Sequence, residues 1–135
     1  MTQTERRTYL INELVKENDK YLNLTIPFDQ DSQKQLLRSL MNVRPPKFVS
    51  DDFIRIQDEY LQEEMKQGGI TDFYSLVPET RQLYLWQGDI TRLRIDAIVN
   101  AANTQMLGCF VPCHGCIDNA IHTFAGVQLR IACAD

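Results

Sequence analysis

Cys109, His114 and Cys116 stand in a C-x4-H-x-C pattern within Gly108-Cys-Phe-Val-Pro-Cys-His-Gly-Cys116. Two thiolates and one imidazole suit zinc, and three protein ligands leave the fourth tetrahedral position open to water or substrate. A closed structural site normally recruits a fourth protein ligand, so the count points to chemistry rather than scaffolding. The plainer alternative is a loop of ordinary reduced cysteines. Cys113 adjoins His114, which makes simultaneous ligation awkward. Cys133 lies 17 residues beyond Cys116, roughly 25 Å along a helix, and is expected to be a small buried hydrophobe instead.

The elements that must position these donors fall into two unlike parts. Residues 1 to about 80 read as helices. Leu10, Ile11, Leu14 and Val15 recur at helical spacing, as do Leu36, Leu37, Leu40 and Met41. Ser32 and Gln35 match a capping box for the second helix. The third starts at Ser50, with Asp51 and Asp52 at the positive end of its dipole. Phe53, Ile56, Tyr60 and Leu61 form its inner face, and Gly68-Gly69 stops it.

The pattern changes near Leu83. Leu83 to Trp86 reads as a short apolar strand and Ile95 to Val99 as a second, apolar apart from Asp96 and suited to a doubly covered sheet. From Ile117 the period is helical again, with Ile117, Ile121, Phe124 and Ala125 on one side. Strand, loop and helix in that order predict an α/β layer with a mostly parallel sheet. Ligands bind beyond the carboxyl ends of such strands, where Gly88-Asp89 and Asn100 to Cys116 lie. Two strands leave unpaired edges, so the expectation is a piece of a longer protein.

The totals narrow the function classes. A net charge of −4 over 135 residues argues against general nucleic-acid affinity. The polar N-terminus lacks an apolar signal region, and no apolar run approaches the ~20 residues of a membrane span. All four cysteines fall in the last 27 residues, which suits a metal loop better than a disulfide framework. A cytoplasmic location is expected.

Leu85-Trp-Gln-Gly-Asp-Ile-Thr91, Asp96-Ala-Ile-Val-Asn-Ala-Ala-Asn103, Cys116-Ile-Asp-Asn-Ala-Ile-His122 and Ala125-Gly126 follow one another in order. Together they resemble a macrodomain, and the inserted Cys-Phe-Val-Pro-Cys-His resembles the zinc-containing branch of that family. That branch also carries a helical N-terminal extension. The resemblance implies an α/β fold: a three-layer α/β/α macrodomain sandwich, of which residues 81–135 are the first part, preceded by a helical extension over residues 1–80. It also implies binding of ADP-ribose and zinc-dependent removal of mono-ADP-ribose from acidic side chains of a modified protein. The chain alone is expected to bind ADP-ribose poorly and to be inactive, for want of further strands and a second glycine-rich loop.

Residue roles follow from the same resemblance. Asp89 accepts a hydrogen bond from the adenine amino group, against the alternative of a turn aspartate, and Ile90 contributes backbone contact. Asn103 serves the distal ribose, and Asn100 is expected to tie down loop backbone; turn formation is the alternative for both. Asp118, in an Asp-x-Ala-Ile-His run, becomes a candidate base or water-positioning group; an N-cap role fits its position equally well. His122, one turn later, is expected to pack or support rather than ligate.

Three functions compete. The first is a zinc-dependent ADP-ribosyl hydrolase, whose family context implies a lipoyl-carrier protein modified by a sirtuin-like transferase as the substrate. The second is a non-catalytic reader of ADP-ribose. The third is a metal-stabilised interaction module, which predicts a closed four-ligand site. Asp118 beside a three-ligand loop favours the hydrolase.

Overall fold

A computed structural model describes residues 1–135. Helix α1 (Gln3–Lys16) is started by a complete capping box, in which Thr2 and Glu5 satisfy each other's backbone amides. Helix α2 (Gln30–Val43) is capped by Asp29, whose side chain accepts from the Ser32 amide. The capping box expected at Ser32 is therefore displaced: Ser32 is the residue being capped. Helix α3 (Asp51–Gly68) has Ser50 as its N-cap and ends at Gly69, whose φ of 85° suits a residue without Cβ.

These three helices bury one apolar face each. Leu10, Ile11 and Leu14 of α1 meet Leu37, Leu40 and Met41 of α2 and Phe53, Ile56, Tyr60 and Leu61 of α3. At their edge Arg44, with a side chain only 3% exposed, forms a two-pronged pair with Glu17 at 2.8 and 2.9 Å. Its remaining N–H groups donate to the carbonyls of Lys47 and Phe48. The link ties the ends of α1 and α2 to the turn that leads into α3.

The sheet differs from the sequence expectation. Strands β1 (Thr71–Asp72) and β2 (Leu93–Arg94) pair in parallel, with Thr71 opposite Leu93. Neither Leu83–Trp86 nor Ile95–Val99 forms a strand. Leu83 instead closes a tight antiparallel bridge with Thr80 across Arg81 and Gln82, both at positive φ. Leu85 and Val99 stand almost fully exposed. A strand needs a neighbour for its backbone groups, and within residues 1–135 no other segment pairs with these two. The chain is thus mixed helical with a small parallel sheet, compatible with the α/β class. No helix is long and apolar enough to cross a membrane.

The helical pattern after Ile117 is divided in two. Helix α4 (Ile117–Ala125) stops at Gly126, which has φ 85°, and helix α5 (Val127–Ala134) follows at once. A Cβ on Gly126 would lie 2.4 Å from the Gln57 side chain. Gln57 is fully buried and accepts a hydrogen bond from the Val127 amide at 2.9 Å. Val127 joins the three-helix core. The last turn of α5 has no such packing, so Cys133 is exposed rather than buried as expected.

The Arg44 pair generates a stability prediction. Glu17→Ala removes the only carboxylate facing a buried guanidinium, and should cost about 2 kcal/mol, less than a fully buried pair because Glu17 is partly solvated. Chemical denaturation measures it; a loss under about 0.5 kcal/mol would class the pair with ordinary surface bridges.

Candidate metal centre and neighbouring carboxylate

The ligand atoms of Cys109, His114 and Cys116 all lie within 4.8 Å of one another. Ordinary zinc bond lengths and a tetrahedral angle place sulfur and nitrogen ligands about 3.6 Å apart. Cys109 Sγ and His114 Nδ1 are separated by 3.6 Å. The donor set and its spacing fit zinc. Cys113 is outside the group: its thiol turns toward α2, 3.2 Å from Ser39 Oγ and 3.4 Å from the Gln35 carbonyl.

The loop owes its shape to neighbours distant in sequence. Gly108 has φ 81°, and a Cβ there would meet the His122 ring at 2.6 Å, so both conformation and close approach demand glycine. Cys113 takes a positive φ of 51°, held by a 2.9 Å hydrogen bond from its amide to Asn42 Oδ1 on α2. Asn119, fully buried on α4, donates to the carbonyls of Val111 at 3.0 Å and Cys109 at 3.4 Å. Arg38 of α2 donates to Asn119 Oδ1 and to the His114 carbonyl.

Arg130 on α5 is the other fixed point. It is buried, lies 4.0 Å from the centre of the Phe110 ring, and donates to the carbonyls of Leu107 and Cys109 in the loop. Its remaining N–H groups reach the carbonyls of Met41, Asn42 and Arg44 at the end of α2. Burial lowers its pKa from the ordinary value, opposed by the nearby Asp118 and Cys109. Sequence reasoning passed over both arginines. Arg38 reaches partners 76 to 81 residues away and Arg130 partners 21 to 89 residues away, and no local pattern marks them.

Cys116 serves twice. Besides belonging to the donor group, it is the N-cap of α4, with its sulfur accepting from the Asn119 amide at 3.4 Å. The N-cap alternative for Asp118 is therefore not what forms. Asp118 sits in the first turn of α4 and is buried. Its Oδ1 accepts a 2.8 Å hydrogen bond from Asn100 Nδ2 and lies 3.7 Å from His122 Nε2. Burial holds the His122 pKa below its ordinary value, against the opposing pull of Asp118.

The backbone-tying part expected of Asn100 falls to Asn103. Asn103, not Asn100, ties down backbone: its Nδ2 donates to the Gly108 carbonyl at 3.2 Å and its Oδ1 accepts from the Gln105 amide. Asn100 reaches the Asp118 carboxylate instead. Asp89 makes none of its contacts with this cluster. One of its oxygens accepts from the Thr91 amide and hydroxyl, the other faces Arg92 at 3.5 Å, and it caps a short helical turn, Ile90–Arg92. Ile90 packs in a groove with Ile121 and Phe124 of α4.

No protein-family model matches the chain. The chain is 60% identical over 138 residues to a protein-ADP-ribose hydrolase of Treponema medium, an alignment spanning 99% of this chain and 53% of that protein. It is 46% identical over 131 residues to the protein-ADP-ribose hydrolase of Staphylococcus aureus (strain COL), spanning 96% of this chain and 49% of the relative. A third relative, from Fusarium oxysporum f. sp. cubense, is named a probable bifunctional ADP-ribose hydrolase/ADP-ribosyltransferase. The chain is 41% identical to it over 113 residues, 76% of this chain and 19% of that protein. The chain spans about half the length of the two hydrolases it matches almost end to end.

Proposed function

We propose that the whole protein is a zinc-dependent protein-ADP-ribose hydrolase acting on acidic side chains. One observation carries this reading: three zinc-type donors gathered within 4.8 Å, the last of them capping the helix whose first turn bears Asp118. The relatives named protein-ADP-ribose hydrolases support it. The proposal includes a three-layer macrodomain sandwich beginning near residue 81, with residues 1–80 as its helical extension. The Fusarium relative's name, which couples hydrolase with ADP-ribosyltransferase, supports a substrate made by a transferase; by family resemblance that substrate is a lipoyl carrier. Four unpaired cysteines support a reducing, cytoplasmic setting.

In this reading the adenine lies by Asp89 and the Ile90 backbone. The distal ribose lies between Asn103 and the donor cluster. Bound by Cys109, His114 and Cys116, zinc supplies positive charge for polarising a ribose oxygen or a water. Asn100 fixes one oxygen of Asp118, leaving the other to hold the attacking water, while His122 packs against the engaged one. The water oxygen bonds to the anomeric carbon. The bond from that carbon to the side-chain carboxylate breaks, and the carboxylate leaves with the electron pair. The water's proton passes to Asp118 and then to solvent. Because a carboxylate is a good leaving group, the reaction asks little general-acid catalysis of the protein.

Release of ADP-ribose from a protein modified on aspartate or glutamate, followed for the whole protein of which this chain is a part, with and without a zinc chelator, tests the reading. The expected result is release that chelation abolishes and zinc restores. Tight ADP-ribose binding with no release would make the protein a reader. Asp118→Ala should lower kcat at least 100-fold while changing ADP-ribose affinity less than tenfold. Should affinity collapse while kcat holds, Asp118 positions the ligand instead.

A further inference from the structure

The metal loop is exposed along much of its length, yet its backbone is held in place by side chains from elsewhere. Asn119 is the hub. Through its Nδ2 it holds the carbonyls of Val111 and Cys109, and through its own amide it meets the Cys116 sulfur. Engaging the oxygen of the same amide on its other side fixes which way the two N–H groups point. Here that oxygen accepts twice from Arg38, at 2.7 Å from one terminal nitrogen and 3.2 Å from Nε. The same terminal nitrogen of Arg38 donates to the His114 carbonyl at 3.0 Å. One guanidinium on α2 therefore reaches the backbone of His114 directly and that of Cys109 through the Asn119 side chain, and it anchors the residue whose main-chain amide meets the Cys116 sulfur.

We propose that Arg38 is a positioning residue of the metal centre, preassembling all three donors from the helical part of the chain. This rests on the zinc reading above. The chemistry requires arginine. Its planar fork presents several N–H groups in fixed directions, so one side chain can orient an amide oxygen and a carbonyl together, whereas a lysine ammonium is a point charge on a flexible stem. Groups that orient metal ligands from behind commonly contribute 10- to 100-fold in metal affinity. Arg38 is only half-buried, and its loss opens no hole in the apolar core. Its removal should act on the loop rather than on the fold.

Zinc affinity of the full chain, measured by competition with a chromophoric chelator, is the readout. Arg38→Ala should weaken zinc binding 10- to 100-fold, with circular dichroism and Tm close to the unmodified protein. Cobalt loaded in place of zinc should show a weaker, shifted tetrahedral absorption band. Arg38→Lys keeps the charge and most of the stem, and stays informative if the alanine variant folds poorly; it should recover less than half of the lost binding energy. Lys34→Ala, one turn away and paired with Glu64 at 2.6 Å, should leave zinc affinity unchanged. Equal zinc affinity in Arg38→Lys or Arg38→Ala and the unmodified protein would overturn the positioning role while the metal centre stands. An unmodified full chain that takes up no zinc would overturn both.

Discussion

The buried guanidinium of Arg130 is the interaction on which the rest of the arrangement depends. The end of α2 presents carbonyls that no helical amide can reach. Arg130 satisfies three of them, from Met41, Asn42 and Arg44, with favourable charge for a helix carboxyl end. It then spends its other N–H groups on Leu107 and Cys109. A single side chain thus joins α5, the end of α2 and the entry to the metal loop. A cation buried this deeply is tolerable because every face of it meets a carbonyl or the Phe110 ring.

From that junction the helices and the loop form one structure. The apolar core sets where α2 lies, and α2 presents Arg38, Ser39 and Asn42 to the loop on successive turns. Asn42 also donates to Thr123 Oγ1 at 2.9 Å, and Thr123 donates to the Asn119 carbonyl at 2.7 Å, which locks α4 to α2. The donors can remain accessible because their rigidity comes from behind. An exposed loop with no such backing would spend binding energy on ordering itself when it met a metal. The positive φ values at Cys113 and Gly108 belong to the same economy: each is a conformation imposed by a partner already fixed in place.

Much of this was legible in the sequence, and the limits have physical causes. Helices α1 to α3 announce themselves because an amphipathic period and caps are local features; Ser50 and Gly69 stand where those features put them. The donor trio was visible from residue type and spacing alone. The apolar segments Leu83–Trp86 and Ile95–Val99 read as strands because composition reports what a segment would bury, not whether a neighbour pairs with it. The helical period from Ile117 shows no break, although the glycine at 126 marks a stop. That Asn103 rather than Asn100 ties down the loop backbone turns on which side chain faces Asp118, a matter of three-dimensional placement. Arg38 acts across 76 to 81 residues of sequence and Arg130 across 21 to 89, where no periodicity survives.

X-ray absorption at the zinc edge, on the full chain loaded with one equivalent of zinc, tests the central claim most directly. The account predicts two sulfur ligands at about 2.3 Å and one imidazole nitrogen at about 2.0 Å, completed by a light oxygen or nitrogen scatterer. A shell of three or four sulfurs, drawing in Cys113 or Cys133, would contradict it, as would a shell of oxygens alone.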